Sequence, residues 1–193
     1  MKSTVTSIKL IYEFAKQSRW NEALSLANEL DHDEKDIMTA LLVIAFSVKT
    51  DLNVIDFLIR SGAEWNDNML MILIQHDKVD VIEKMLTYGV VDINYVDQRY
   101  YTPLMFSVQQ NSSKTFNLLL SKGAMVNSPF LGFDALDIAL NNYGADRYKF
   151  HYIKGLINAG AKIDLSHKQR VQEIKTENLD SFIFLTKIFP ELI

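Results

Sequence analysis

The sequence predicts an all-α solenoid of about five to six helix-turn-helix units, with atypical units capping its ends. Three observations predict it. First, a glycine-opened segment returns along the chain: Gly62-Ala63-Glu64-Trp65-Asn66, Gly89 followed by Val91-Asp92-Ile93-Asn94, Gly123-Ala124-Met125-Val126-Asn127, and Gly160-Ala161-Lys162-Ile163-Asp164. These glycines are 27, 34 and 37 residues apart. Second, an amphipathic apolar run precedes each one: residues 54–59, 81–86, 116–120 and 152–157. Third, the 193 residues hold only seven Gly and three Pro, without a Gly-rich or Ser-rich run, so linkers have little room.

The elements follow in order. Ser7 to Lys16 and Trp20 to Leu30 form two short amphipathic helices separated by Gln17-Ser18-Arg19. The acidic run Asp31-His32-Asp33-Glu34-Lys35-Asp36 reads as a solvated, helix-capping loop. In the four repeated runs, apolar residues at i, i+3 and i+4 make a stripe that must be buried. The glycine two or three residues later supplies the positive φ that stops the helix. Between Asn94 and Phe116 lies Thr102-Pro103-Leu104-Met105-Phe106-Ser107. Proline fits a first helical turn, where its missing N–H costs nothing, and Thr102 before it is a good cap. A weaker version of the same opening is Asp134-Ala135-Leu136-Asp137-Ile138-Ala139. The tail from Leu179 to Phe189 carries Phe182, Ile183, Leu185, Ile188 and Phe189 on a last helix.

This unit resembles the ankyrin repeat, about 33 residues long, with a T-P-L-H-x-A opening and a G-A-D-V-N close. Residues 102–127 match it almost position by position. Met105 replaces the family's His, Ser107 its small Ala, and Asn111-Ser112 its mid-repeat Gly-His; His76-Asp77 takes the place of that pair one repeat earlier. The resemblance implies that losing the His removes a hydrogen bond between repeats, with packing of Met105 as compensation. It covers residues 37–164, and it implies one domain over 1–193: an N-terminal capping helix pair at 1–36, repeats at 37–164 and a C-terminal capping helix pair at 165–193.

Three departures stand out. Asn66 to Asn68 leaves no room for the finger that elsewhere joins Asn94 to Thr102. The close at Gly89 carries one extra residue. About five extra residues fall between two helices near Tyr143-Gly144-Ala145-Asp146-Arg147-Tyr148-Lys149-Phe150. Those aromatics read either as a second contact surface or as a longer helix end packed on its neighbour.

In such a repeat the exposed positions are the finger tips and the inner face of the first helix. The best-formed finger is 96–101 and the next is 128–133. Tyr and Arg dominate interface energies because they bury much area and keep their donors. The expected partner-binding residues are therefore Gln98, Arg99, Tyr100, Tyr101, Phe130, Leu131 and Phe133, with Gln109 and Gln110 as a polar rim. Tyr101 or Phe133 packing beneath the finger is the competing reading.

Other chemistries have little support. A net charge of −4 argues against a general grip on nucleic acid. The nearest basic group, Lys168, Arg170 and Lys175, reads as a solvated helix face. The absence of cysteine excludes disulfides and thiolate zinc sites and fits a reducing compartment. Lys9 and Glu13 interrupt the early apolar stretch, so no secretory core is expected. The longest apolar run, Ala40 to Phe46, is far short of the roughly 20 residues that span a bilayer. Histidines 32, 76, 151 and 167 are scattered. No phosphate-binding, dinucleotide or nucleophile motif occurs.

The expectation is thus a cytoplasmic protein-protein interaction module, not an enzyme. It would carry no cofactor, metal or small-molecule substrate and contact neither nucleic acid nor membrane. It would bind and occupy a partner protein as an inhibitor, immunity-type protein or adaptor. The alternatives are a secreted effector aimed at a host protein, and an enzyme with a site in the 143–150 insertion.

Overall fold

Helices of seven to fifteen residues are marginal alone in water and persist only when an apolar stripe is buried against a neighbour. The computed structural model describes residues 2–29, 34–47, 51–64, 67–127, 133–143 and 149–193. Among these residues it contains twelve α-helices and no strand. The chain divides into two compact units, 1–91 and 92–193.

The first unit holds α1 (Lys2–Lys16), α2 (Trp20–Asn28), α3 (Glu34–Ser47), α4 (Leu52–Arg60), α5 (Asp67–Gln75) and α6 (Val79–Thr87). Helix α1 packs on α2 and α3, α3 on α4 and α5, and α5 on α6. Ile11, Ala15, Leu41, Leu42, Ile55, Leu58, Leu73 and Ile82 are buried at these contacts. Helix α5 begins five residues after Gly62, in keeping with a missing finger there.

The second unit holds α7 (Pro103–Gln109), α8 (Ser113–Ser121), α9 (Ala135–Tyr143), α10 (Phe150–Asn158), α11 (Leu165–Glu177), α12 (Leu179–Ile188) and a final 3-10 turn, Pro190–Leu192. Helices α7, α9 and α11 pack side by side, and each also packs on the helix that follows it. Phe116, Leu119, Leu136, Tyr143, Tyr152, Val171, Ile174 and Leu185 lie in one continuous core.

The glycine stops close the helices as their spacing implies. Gly62, Gly89, Gly123 and Gly160 have φ of 90°, 66°, 81° and 90°. At each, the glycine N–H and the next N–H fold back onto carbonyls of the preceding turn, for example Gly123 to Leu120 and Ala124 to Leu119. The turns within helix pairs use the same geometry without glycine. Ser18, Asp77 and Asn111 take φ of 60°, 48° and 60°, where short polar side chains tolerate the left-handed region.

That finding shifts one sequence reading by a residue. The residue in the left-handed position is Asp77, so the pair that stands for Gly-His is Asp77-Lys78, and His76 is the last exposed residue before the turn.

The aromatic ends of the 143–150 insertion face inward. Tyr143 is fully buried, its ring centroid is 6.4 Å from that of Phe150, and Phe150 stacks edge-on against Phe184 at 5.0 Å. Residues 144–148 lie outside the described residues. Gly155 in α10 permits a close helix approach, because a Cβ there would lie 2.7 Å from Phe116 Cε1.

Candidate partner-binding surface

The finger before α7 is organised by one carboxylate. Asp97 Oδ1 accepts the N–H groups of Arg99 and Tyr101, both at 2.8 Å. Its Oδ2 accepts Nε and Nη2 of Arg99, both at 3.1 Å. The Asp97 carbonyl accepts the Tyr100 N–H, and the Tyr101 carbonyl accepts the Asp97 N–H, each at 3.0 Å. Aspartate commonly nucleates such turns by bonding backbone donors two residues on. Its result here is unusual: Tyr100 has φ of 64° and is 63% exposed. A bulky side chain with positive φ is rare, and such strained positions cluster at functional sites.

The neighbouring residues divide into support and display. The Arg99 guanidinium lies 5.5 Å from the Tyr101 ring centroid, and Tyr101 is partly buried against the core. The Tyr101 and Phe133 rings are 6.0 Å apart and tilted by 58°. Tyr101 is thus partly covered by the core and by the Phe133 ring, whereas Phe133 is 39% exposed. Gln98 and Arg99 are exposed beside Tyr100. Phe130 and Leu131 lie outside the described residues. Gln109 and Gln110 are exposed, but at the far end of α7 from the finger, roughly 10 Å along the helix axis from Thr102.

Asparagines tie the finger bases together. Asn94 Oδ1 accepts the Met125 N–H at 2.7 Å. One repeat later Asn127 Oδ1 accepts the Lys162 N–H at 2.7 Å, and Asn127 Nδ2 donates to the Gly160 carbonyl at 3.1 Å. The last residue of the G-x-x-x-N close is thus the link to the following repeat.

A second interlock joins α9 and α11, and sequence reading missed it. Asp134 caps α9, its Oδ1 accepting the N–H groups of Leu136 at 2.7 Å and Asp137 at 3.0 Å; Asp137 Oδ2 accepts the Asp134 N–H at 2.8 Å. Asp164 and His167 form the corresponding capping box of α11. His167 Nε2 lies 3.2 Å from Asp134 Oδ1 and 3.4 Å from Asp137 Oδ1, so its imidazole bridges the two caps. The signal was present: Asp164-Leu165-Ser166-His167 stands in the same register as Thr102-Pro103-Leu104-Met105.

Burial pushes the His167 pKa down, yet the hydrogen bonds its ring donates to Asp134 and Asp137, together with their charges, outweigh it and raise it to about 10. The Nδ1 side opposes this. A neutral ring accepts the Asp164 N–H at 3.1 Å, whereas a charged ring would donate instead to Asp164 Oδ1 at 2.9 Å. Three ligand-type atoms converge here within 4.8 Å, but each already serves in a cap or in the imidazole bridge.

Arg170, Lys168 and Lys175 are all engaged. Arg170 pairs with Glu177 at 2.8 Å and Glu173 at 3.0 Å. Lys168 donates to the Ile193 carbonyl at 2.6 Å, and Lys175 lies 5.3 Å from the Phe182 ring centroid. In the first unit an open groove of about 570 Å³ runs between α1 and α2, lined by Leu10, Phe14, Asn21, Glu22, Ser25 and Leu26. Among the described residues no helix is long and apolar enough to cross a membrane.

Comparison with known proteins gives the same pattern. A family model described as ankyrin repeats (3 copies) matches residues 41–130 and 70–167. An ankyrin repeat protein of fowlpox virus (strain NVSL) is 29% identical over 58% of this chain, covering 16% of its own length. Ankyrin repeat protein T5 of rabbit fibroma virus (strain Kasza) is 34% identical over 33% of this chain and 16% of its own. The chain therefore spans about one-sixth of the length of these relatives.

Proposed function

The chain belongs to the ankyrin-repeat family, an all-α interaction fold that serves protein recognition, and from that premise we propose that it binds a partner protein through the finger at residues 97–101 and Phe133. The single observation that carries this reading is Tyr100. An aromatic side chain stands 63% exposed at a finger tip whose backbone is left-handed and braced by six hydrogen bonds made by Asp97. Holding it there has a conformational cost, and Tyr supplies a large contact area at a low side-chain entropy cost when a partner buries it.

Arg99 and Gln98 flank Tyr100 with hydrogen-bond donors, while Tyr101 and Asp97 hold the loop. Phe130 and Leu131, outside the described residues, stay in the proposal on their residue type alone, and Gln109 and Gln110 form a separate polar contact. The partner is occupied rather than modified, which suits an inhibitor, an immunity-type protein or an adaptor. No catalytic step, cofactor or metal is assigned, and the site of action is the cytoplasm. A secreted effector would use the same surface and differ only in where its partner is found.

The test begins with affinity capture from native and foreign lysates and identification of the partner by mass spectrometry. The interaction is then measured by calorimetry with Arg99→Ala, Tyr100→Ala and Phe133→Ala combined. Truncating a hot-spot Tyr costs about 2 kcal/mol or more, roughly 30-fold in affinity. Binding that stays within about threefold in the triple variant overturns the assignment of the finger.

A further inference from the structure

The outer helices of the second unit present a surface of one charge sign. From residue 98 to 133, and again from 147 to 163, the chain has no Asp or Glu, although 24 of its 193 residues are acidic and its net charge is −4. These stretches contain α8 and α10. In α8, Thr115, Phe116, Leu118 and Leu119 are buried, so Lys114, Asn117 and Ser121 form the exposed stripe on the opposite face. In α10, Tyr152, Ile153 and Leu156 are buried, and His151, Lys154 and Asn158 form the same stripe. Both run at i, i+3 and i+7, which keeps one face over two turns. Lys149 at the N-cap of α10 and the exposed C-cap Lys122 of α8 add charge at the helix ends.

The two stripes lie side by side. Helix α8 packs on α10. The missing side chain of Gly155 lets Phe116 approach closely, and the Phe116 and His151 ring centroids are 6.3 Å apart. Helices in such contact lie roughly 8–10 Å apart, which sets the spacing of the two rows. Among the described residues neither Lys114 nor Lys154 makes an ion pair. In α6 of the first unit the corresponding stripe is Asp80, Glu83 and Thr87, so the helix pair itself places no demand on the sign. Soluble surfaces ordinarily intersperse both signs, and charges of one sign set side by side repel each other. That arrangement suits an anion brought from outside.

We propose that the α8–α10 face is a docking surface for an acidic segment of a partner protein, a run of Asp and Glu laid across Lys114 and Lys154. The amides of Asn117 and Asn158 and the hydroxyl of Ser121 stand between the charges as further donors to carboxylates. A phosphate polymer fits less well. The one exposed ring of these helices is His151, so bases have little to stack on. A chain of net charge −4 also repels a long polyanion as a whole, whereas a short segment feels chiefly the local field. None of these residues belongs to the finger, so the inference does not depend on the proposed finger contact.

Fluorescence anisotropy of the full chain with a labelled oligoglutamate peptide of about ten residues tests it. Exposed ion pairs are individually weak and are screened by salt, so binding should be measurable at about 20 mM salt and fall at least about tenfold by about 300 mM. Lys114→Glu/Lys154→Glu should weaken it about tenfold or more. Lys9→Glu/Lys16→Glu changes the net charge equally, on exposed lysines of α1, and should stay within about threefold. So should the Arg99→Ala/Tyr100→Ala/Phe133→Ala variant, which leaves this face intact. Circular dichroism melts check that each variant folds. A wild type that does not bind the peptide overturns the proposal, as does equal weakening by the two charge reversals or loss of binding in the finger variant. The same titration with oligothymidylate and with vesicles containing phosphatidylserine compares other anions. Tighter binding to either than to the peptide, lost in Lys114→Glu/Lys154→Glu, overturns the assignment to carboxylates.

Discussion

Replacing His167 with Gln should remove a pH-dependent part of the stability of the second unit. The imidazole is 2% exposed and lies between Asp134 and Asp137, whose side chains are 16% and 13% exposed. Its folded pKa is raised from 6.5 to about 10. A raised pKa means that the folded state binds the proton more tightly than the unfolded chain. The contribution is therefore complete below about pH 6.5 and declines as pH rises through about 10.

At 1.36 kcal/mol per unit the full shift would correspond to roughly 4–5 kcal/mol. Two features reduce it. Charging the ring gives up the Asp164 N–H bond to Nδ1, a loss of about 1 kcal/mol, and the carboxylates retain some solvent, which screens the pair. About 2 kcal/mol should remain. Urea melts at pH 6, 8 and 10 measure it, followed by far-UV circular dichroism because both tryptophans, Trp20 and Trp65, fall in the first unit. The quantity of interest is the wild-type loss minus the His167→Gln loss, which cancels every contribution the two chains share. A difference below about 0.5 kcal/mol between pH 6 and 10 would refute the charged bridge and leave His167 as a neutral cap.

Three further outcomes are expected. Gly155→Ala ordinarily gains about 1 kcal/mol of helix propensity, but its Cβ would lie 2.7 Å from the fully buried Phe116, which is held edge-on to Tyr152 at 4.8 Å. The net should be a loss of about 1–2 kcal/mol by urea melts, and a gain would show that the ring moves freely. Asp97→Ala releases Arg99 and the finger backbone together, so partner affinity should fall about tenfold with little change in melting temperature; calorimetry beside a thermal melt separates the two effects. Asn127→Ala should cost about 1–2 kcal/mol, because it removes the acceptor for the Lys162 N–H and the donor to the Gly160 carbonyl. Faster hydrogen exchange around residues 160–164 is the corresponding local readout.

The candidate surface was only partly legible. Arg99 and Tyr100 were expected to be exposed, and they are, because an aromatic-basic cluster in a loop after a repeat close has no core to join. Tyr101 has the same residue type and position class, yet it is partly covered by the core. The choice between adjacent tyrosines depends on a turn that Asp97 builds and on the Phe133 ring 32 residues later. His167 was passed over as one of four scattered histidines, because its partners Asp134 and Asp137 are some 30 residues upstream.

What the sequence by itself determined is local and periodic. Apolar spacing sets which segments are helices, glycines set where four of them stop, and Thr102-Pro103 sets where α7 begins; each depends on backbone conformation within a few residues. The tertiary structure decided what such rules leave open. Phe182, Ile183, Leu185, Ile188 and Phe189 all read as one apolar run, yet only Leu185 and Phe189 are buried, while Ile183 and Ile188 face outward. Position around the helix relative to α11 makes that division. A side chain's role as core, cap or display follows from which neighbour closes over it, and those neighbours come from the next repeat.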